Sequence, residues 1–509
     1  MTGTRSVQIA VLGTLAGLAA TMGTAAETKA TLPVRQVVEL PVRDDPTVSF
    51  RIWLKVGSQD DPPGKEGLAS LVGDVLAEGS TQRNRYEKIL DLLFPLAGSY
   101  SASVSAEMTV MAGRIHKDNL ERYYPLLVEA ILEPAFKQED LDRLKSQTLN
   151  YLENTLRYAG DEELGKAVLY NAIFAGTPYG HVSEGTIASV RGITLEDVRG
   201  FYQRHYTRDN VVIGIGGGYG KETLDRLRAD LGRLAPGKPP EVPPPEPKPI
   251  RGRQVVIVEK DAQATAISLG FPIGVLRGSR EWYALAVANS WLGEHRNSSS
   301  HLFQVLREVR GLNYGDYSYI EHFPGGGHLQ MPPQNAARRR QIFEIWIRPV
   351  PNEARHFALR AALRELKLLV ERGLSEPQFE LTRGFLGKYV LHYAPTTMER
   401  LGYALDDRFY GVDGSHLERF RRTMGEVTLE EVNAALRRHL KVENVQIAIV
   451  TRDAKGFRDA LVAEAPSPYT YPTPKPDSVL EEDRQIGTFP LGIKAEDVKI
   501  VPVGELFVK

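Results

Sequence analysis

The residue types that usually do chemistry are few in this chain. There is no cysteine among its 509 residues, which excludes disulfides, thiolate zinc sites, iron–sulfur clusters and a cysteine nucleophile. The 11 histidines are then the only soft metal ligands. Their close pairs, His295 with His301 and His322 with His328, each have five intervening residues. Two ligands on one helical face need three. Gly214-Ile-Gly-Gly-Gly-Tyr-Gly-Lys221 fails the phosphate-loop spacing. Its first glycine would fall on Ile215, and Glu222 stands where a hydroxyl should bind magnesium. It reads as a turn after a strand Val211–Ile213, where glycine permits positive φ. Ser298 to Ser300 lack the strained elbow of a serine nucleophile. Arg338 to Arg340 read as a solvated patch, and the glycines between His322 and His328 as a hairpin loop.

Two segments carry more. The first is Val56-Gly-Ser-Gln-Asp-Asp-Pro62 followed by Gly67-Leu-Ala-Ser-Leu-Val-Gly-Asp-Val-Leu-Ala-Glu-Gly-Ser-Thr81. It resembles the active-site helix of the pitrilysin/insulinase-like zinc peptidases, the inverzincins. In that family His-x-x-Glu-His places two zinc-binding histidines on one helical face, and the glutamate activates the bound water. On the resemblance, Ser70 matches the first histidine, Gly73 the glutamate and Asp74 the second histidine. The frame is kept and the chemistry is gone. Serine does not replace an imidazole, glycine carries no base, and one aspartate does not make a zinc site. The family's further ligand glutamate lies downstream; Glu163, before Thr177-Pro-Tyr-Gly180, is a loose match and reads as a solvated helix residue. The expectation is that this chain binds no metal and hydrolyses no peptide by itself.

The second segment is Ser298-Ser-Ser-His-Leu-Phe-Gln-Val-Leu-Arg-Glu-Val-Arg-Gly-Leu-Asn-Tyr314. It resembles the family's Ser-Ser-x-Leu-Phe-x-x-Leu-Arg-x-x-x-Gly-Leu-x-Tyr, which supplies an arginine–tyrosine pair from the C-terminal half of a clamshell. The pair maps to Arg307 and Tyr314. A guanidinium and a phenol donate hydrogen bonds to the oxygen that gains charge in peptide hydrolysis, provided a zinc site faces them. A chain without the metal helix but with this pair resembles the non-catalytic partner in two-chain members of the family. The resemblance therefore implies a heterodimer with a zinc-bearing homologous chain that holds the metal, acting on peptide substrates. The alternative is a structural or chaperone-like family member with no part in hydrolysis.

The elements that must position these residues repeat. Ile193-Thr-Leu-Glu-Asp-Val198, Arg204-His205 and Asn210-Val-Val-Ile213 return as Val427-Thr-Leu-Glu-Glu-Val432, Arg438-His439 and Asn444-Val-Gln-Ile447, each pair 234 residues apart. Each copy reads as an N-capped helix running into a strand. Val48 to Val56 alternates as a strand, and Ser101 to Ile115 reads as more strand. Glu139 to Phe174 and His356 to Arg372 show helical spacing. Strands and helices without regular βαβ alternation predict an α+β fold with largely antiparallel sheets. Between Pro236 and Pro249, eight of 14 residues are proline, so this linker cannot join a sheet. The expected organisation is a signal peptide over 1–26, an N-terminal half over 27–235, a linker over 236–252, a C-terminal half over 253–465 and a tail over 466–509.

The charge balance, 63 Lys+Arg against 64 Asp+Glu, gives no electrostatic support to a nucleic-acid partner. Arg5, the apolar run Val7–Ala20 and the small residues Gly23 to Ala26 follow the order of a secretory signal. A periplasmic or secreted location is expected. No later stretch has the length of a membrane-spanning helix.

Overall fold

The computed structural model describes residues 31–323 and 333–509; the expected signal peptide and His328 lie outside them. In the first half, strands β1 (Val37–Pro41), β2 (Thr47–Leu54), β3 (Ser99–Val104), β4 (Thr109–His116) and β5 (Val211–Gly217) form a sheet in the order β1-β5-β2-β4-β3. In the second half, β6 (Arg253–Glu259), β7 (Ala264–Ile273), β8 (Asp316–Tyr319), β9 (Gln341–Pro351) and β10 (Val445–Thr451) lie in the order β6-β10-β7-β9-β8. The two orders correspond strand for strand. Only β1–β5 and β6–β10 pair in parallel within this common plan; the remaining pairs are antiparallel. The protein is α+β in two homologous halves.

The repeated helices start as their sequences predict. Thr194 accepts from the Asp197 N–H while the Asp197 carboxylate accepts from the Thr194 N–H, and Thr428 with Glu431 does the same. The long helical stretch from Glu139 to Phe174 is broken. Helix Gln138–Asn150 widens into a π-type stretch, Tyr151–Ala159, and a new helix begins after Gly160.

Four helices frame the candidate site and the join between the halves: α1 (Leu68–Glu78), α2 (Asp161–Ile173), α3 (Thr397–Tyr410) and α4 (Asp477–Gly487). Helices α2 and α3 occupy equivalent places in the two halves, and they are exchanged. Helix α2 lies on β7 and β10 of the second sheet, and α3 on β1, β2 and β5 of the first. One apolar core therefore takes in Leu164 and Leu169 of α2 together with Ala266, Ala448 and Val450 of the second sheet. Burying apolar area across the join, worth about 25 cal/mol per Å², ties the halves into one body.

This exchange corrects the reading of Gly214 to Lys221. The strand continues through Gly217. A Cβ on Gly214 would stand 2.8 Å from the Arg51 carbonyl oxygen and 3.2 Å from Leu405 of α3, and one on Gly216 would stand 3.0 Å from Thr397. The glycines let a helix from the other half lie flat on the strand.

Residues 466–509 complete the second half and return to the first. β11 (Val498–Pro502) adds in parallel to the edge strand β6. Helix α4 packs on the helix Arg355–Arg372, where Arg360, 1% exposed, donates to the carbonyls of Ala465 (2.8 Å) and Gly487 (2.6 Å). The last residues reach the first half: the Ile187 and Ala188 N–H groups donate to Phe507 and Val508 carbonyls, and Arg157 donates to that of Leu506. No helix of the described residues is long and apolar enough to cross a membrane.

Candidate functional site

Helix α1 is held firmly at its start. Gly67 takes a left-handed conformation (φ 95°), open to glycine at little cost. The buried Asp61 carboxylate accepts from the Gly67 and Ala69 N–H groups, each at 2.7 Å. Seven apolar side chains of α1 belong to the first core: Leu68, Ala69, Leu71, Val72, Val75, Leu76 and Ala77.

Ser70 is engaged, its hydroxyl donating to the Ser183 carbonyl at 2.7 Å. Gly73 has no room for a side chain. A Cβ there would stand 2.8 Å from Val104 Cγ2 and 3.5 Å from Ala102 Cβ, both on β3. Asp74 faces a cavity of about 390 Å³ with Glu78, Tyr86 and Tyr100. Burial, with Glu78 and Glu184 nearby, pushes its carboxyl up to about 7, and only Arg143 opposes this. A serine hydroxyl already bonded to a carbonyl, a glycine and a single carboxylate supply too few ligands for the metal. These three residues do not fit a zinc ion.

Glu163 does not join them. It stands in the first turn of α2, lining a separate cavity of about 380 Å³ with Tyr151, His181 and Glu184. Among the described residues no three His, Asp or Glu side chains are grouped so as to hold a metal ion. Two of the described histidines show the packing and hydrogen-bonding roles they take instead. His295 sits among Tyr317, Phe323 and Trp346, its ring nitrogen 2.6 Å from the Tyr319 hydroxyl. His301 bonds Glu365 at 2.7 Å and stacks on Trp291.

The raised Asp74 carboxyl has a measurable consequence. The folded protein holds this proton more tightly than the unfolded chain, whose aspartates titrate near about 4. Ionisation therefore destabilises the fold, absent at low pH, growing through the range from about 4 to about 7 and complete above it. Asp74→Asn is expected to stabilise the protein at pH 8 by on the order of 1 kcal/mol and to give no gain at pH 4. Thermal melting at the two values checks it; an equal shift at both contradicts it.

The second segment is built differently. Leu306 and Leu312 anchor it in the second core. Arg310, 2% exposed, donates to Asp483 (2.8 Å) and Glu482 (2.7 Å) of α4. Asn313 donates to Asp316 (2.8 Å) and to the Arg348 carbonyl (2.9 Å). On this fixed backbone Arg307 and Tyr314 face outward. The Arg307 guanidinium lies 4.5 Å from the Phe303 ring centroid and donates to Glu308 at 3.0 Å. Tyr314 is 77% exposed, and its hydroxyl makes no hydrogen bond among the described residues. An exposed Tyr and a half-buried Arg on this backbone are available to an oxygen presented from outside. Neither lines a described cavity with Ser70, Gly73 or Asp74.

Sequence reasoning missed three features. Arg338, read as solvated, is 4% exposed among Tyr170, Phe174 and Tyr179. Arg339 pairs with Glu107 at 2.6 Å, and Arg340 reaches Glu246 of the linker. The loss of space at Gly73 depends on Val104, whose approach no local pattern announces.

Comparison with known proteins agrees with this geometry. Residues 37–186 match the family model "Insulinase (Peptidase family M16)", and residues 192–384 match "Peptidase M16 inactive domain". An uncharacterized zinc protease of Streptomyces coelicolor is 28% identical over 366 residues, covering 70% of this chain and 75% of that protein. A non-peptidase homolog of Helicobacter pylori is 24% identical over 397 residues, covering 76% of this chain and 85% of the relative. The crystal structure of a peptidase M16 inactive domain from Pseudomonas fluorescens superposes with a TM-score of 0.71 at 23% identity, over 82% of this chain and 95% of that one. With both halves matched and the fold shared, the chain belongs to the insulinase-like, or M16, peptidase family, and it lacks that family's His-x-x-Glu-His at Ser70, Gly73 and Asp74.

Proposed function

We propose that this protein is the non-catalytic subunit of a two-chain, exported peptidase of the insulinase-like family. A zinc-bearing homologue is its partner and holds the metal. This chain contributes Arg307 and Tyr314, which bind the peptide substrate and stabilise the charge that develops on its scissile oxygen. One observation carries the reading: the base position in α1 is filled by Val104, while the arginine–tyrosine segment is braced from behind and open in front. The Helicobacter pylori relative described as a non-peptidase homolog supports loss of catalysis. The signal-like residues 1–26 support a periplasmic or secreted location.

The test is co-expression with the homologue from the same genome that keeps an intact His-x-x-Glu-His. The two chains are expected to co-elute, and peptide cleavage is expected to require both. Arg307→Ala and Tyr314→Phe are each expected to lower kcat/KM about tenfold, the scale of one hydrogen bond to a charged oxygen. Failure to form a complex, or activity untouched by both substitutions, rejects the reading in favour of a structural role.

A further inference from the structure

The proline-rich linker does not hang free. It is tied to both halves: the Gly237 N–H donates to Asp209 of the first at 2.9 Å, and Arg339 of the second donates to the Val242 carbonyl at 2.5 Å. Beneath it lies a cavity of about 310 Å³. Three parts of the chain meet around it: Trp53 and Lys55 at the end of β2, Arg408 and Phe409 of α3, and Lys238 to Val242 of the linker.

The charges on this cavity are segregated. Lys55, Lys238 and Arg408 converge with no carboxylate paired to any of them among the described residues. The Arg408 guanidinium donates to the Arg35 carbonyl at 2.9 Å, and the Lys55 ammonium stands 5.7 Å from the Trp53 ring. Partial desolvation, with Arg408 and Lys238 close by, lowers the pKa of Lys55, which keeps an exposed edge. The carboxylates of the cavity belong to a separate group around Arg339. Glu107 accepts from it at 2.6 Å, and Glu241 stands 3.5 Å away. Asp60 accepts from the Gly57 N–H at 2.9 Å.

The cationic side thus offers two ammonium groups and a guanidinium, all donors. Trp53, 5% exposed and packed with Met108, Val110 and Leu405, is a fixed wall beside them. With Phe409, Pro239 and Pro240 it supplies apolar surface.

We propose that this cavity is a binding site for a small multivalent organic anion, a polyphosphate or polycarboxylate whose charged end lies among Lys55, Lys238 and Arg408 and whose apolar part lies on Trp53 and Phe409. Because β2, α3 and the linker all contribute, the bound anion joins both halves. The site does not depend on the proposed pairing with a peptidase.

Isothermal titration of the full chain with inorganic tripolyphosphate, ATP and citrate tests it. One-site binding of at least one probe is expected, weakening as salt rises. ATP binding tighter than tripolyphosphate identifies the apolar wall as part of the site, and citrate binding alone narrows the class to polycarboxylates. Lys55→Met combined with Lys238→Met is expected to weaken binding at least about tenfold, and Trp53→Phe several-fold. Lys221→Met, on an exposed helix elsewhere, is expected to change nothing. Both lysines of the double variant are exposed, so the fold is kept. No binding of any probe at millimolar concentration, or wild-type affinity in the double variant, overturns the proposal.

Discussion

Writing the lost motif back into α1, as Ser70→His, Gly73→Glu and Asp74→His together, is expected to yield a less stable protein and no zinc peptidase. Most of the damage comes from Gly73→Glu. Its Cβ would arrive 2.8 Å from Val104 Cγ2, closer than packed carbons tolerate, and 3.5 Å from Ala102 Cβ, an ordinary contact. Overpacking of this kind costs typically about 1–3 kcal/mol. The carboxylate would also be buried against the apolar side of β3, which adds several kcal/mol or forces it neutral. Ser70→His removes the hydrogen bond to Ser183. We expect Gly73→Glu alone to lower stability by about 3 kcal/mol or more, read as a lower denaturation midpoint. Val104→Ala added to it should recover part of the loss, because Val104 holds the methyl that clashes. The triple variant should contain no stoichiometric zinc by elemental analysis. A triple variant that melts with the wild type and carries one zinc per chain would refute the argument.

The same contrast explains how much was legible beforehand. The duplication is written locally, in two capping boxes and two strands at a fixed offset, so the fold class and the two-half plan follow from the sequence, while the strand order does not. The missing histidines are visible as residue types. What was not visible arises between the halves. Gly214 and Gly216 look like turn residues until α3 is known to lie on them. Arg338 looks solvated because three arginines in a row are hydrophilic, yet rings of α2 and its neighbourhood enclose it. The strand β11 follows a proline cluster and pairs with β6 across most of the second half, a separation that no window of neighbouring residues reports. The orientation of Arg307 and Tyr314 likewise depends on α4, reached through Arg310.

The largest stability effect outside the site is expected where the exchanged helix α2 carries a charge into the second half. Lys166 and Glu344 are 1% and 0% exposed, and their side chains pair at 2.9 Å. The Tyr170 hydroxyl donates to the same Glu344 oxygen at 2.7 Å, and the Lys166 ammonium lies 4.5 Å from the Tyr319 ring and 4.7 Å from that of Trp346. Desolvation drives the Lys166 pKa down, and Glu344 is the main influence holding it charged. Removing one partner strands the other. Lys166→Met leaves a buried carboxylate with only a phenol, and Glu344→Gln leaves an ammonium among rings. Each single change is expected to cost about 3–5 kcal/mol. The pair is not thereby strongly stabilising, because its formation already carried the desolvation of both ions. Lys166→Met with Glu344→Met should therefore lose less than either single variant, since apolar replacement of a whole buried pair is often near neutral. Urea midpoints of the wild type, two singles and the double check this. A double variant as unstable as the sum of the singles would show that packing, not uncompensated charge, governs the site. The exposed pair Lys221–Asp225 supplies the control: water already solvates both ions there, and Lys221→Met should leave the midpoint where it is.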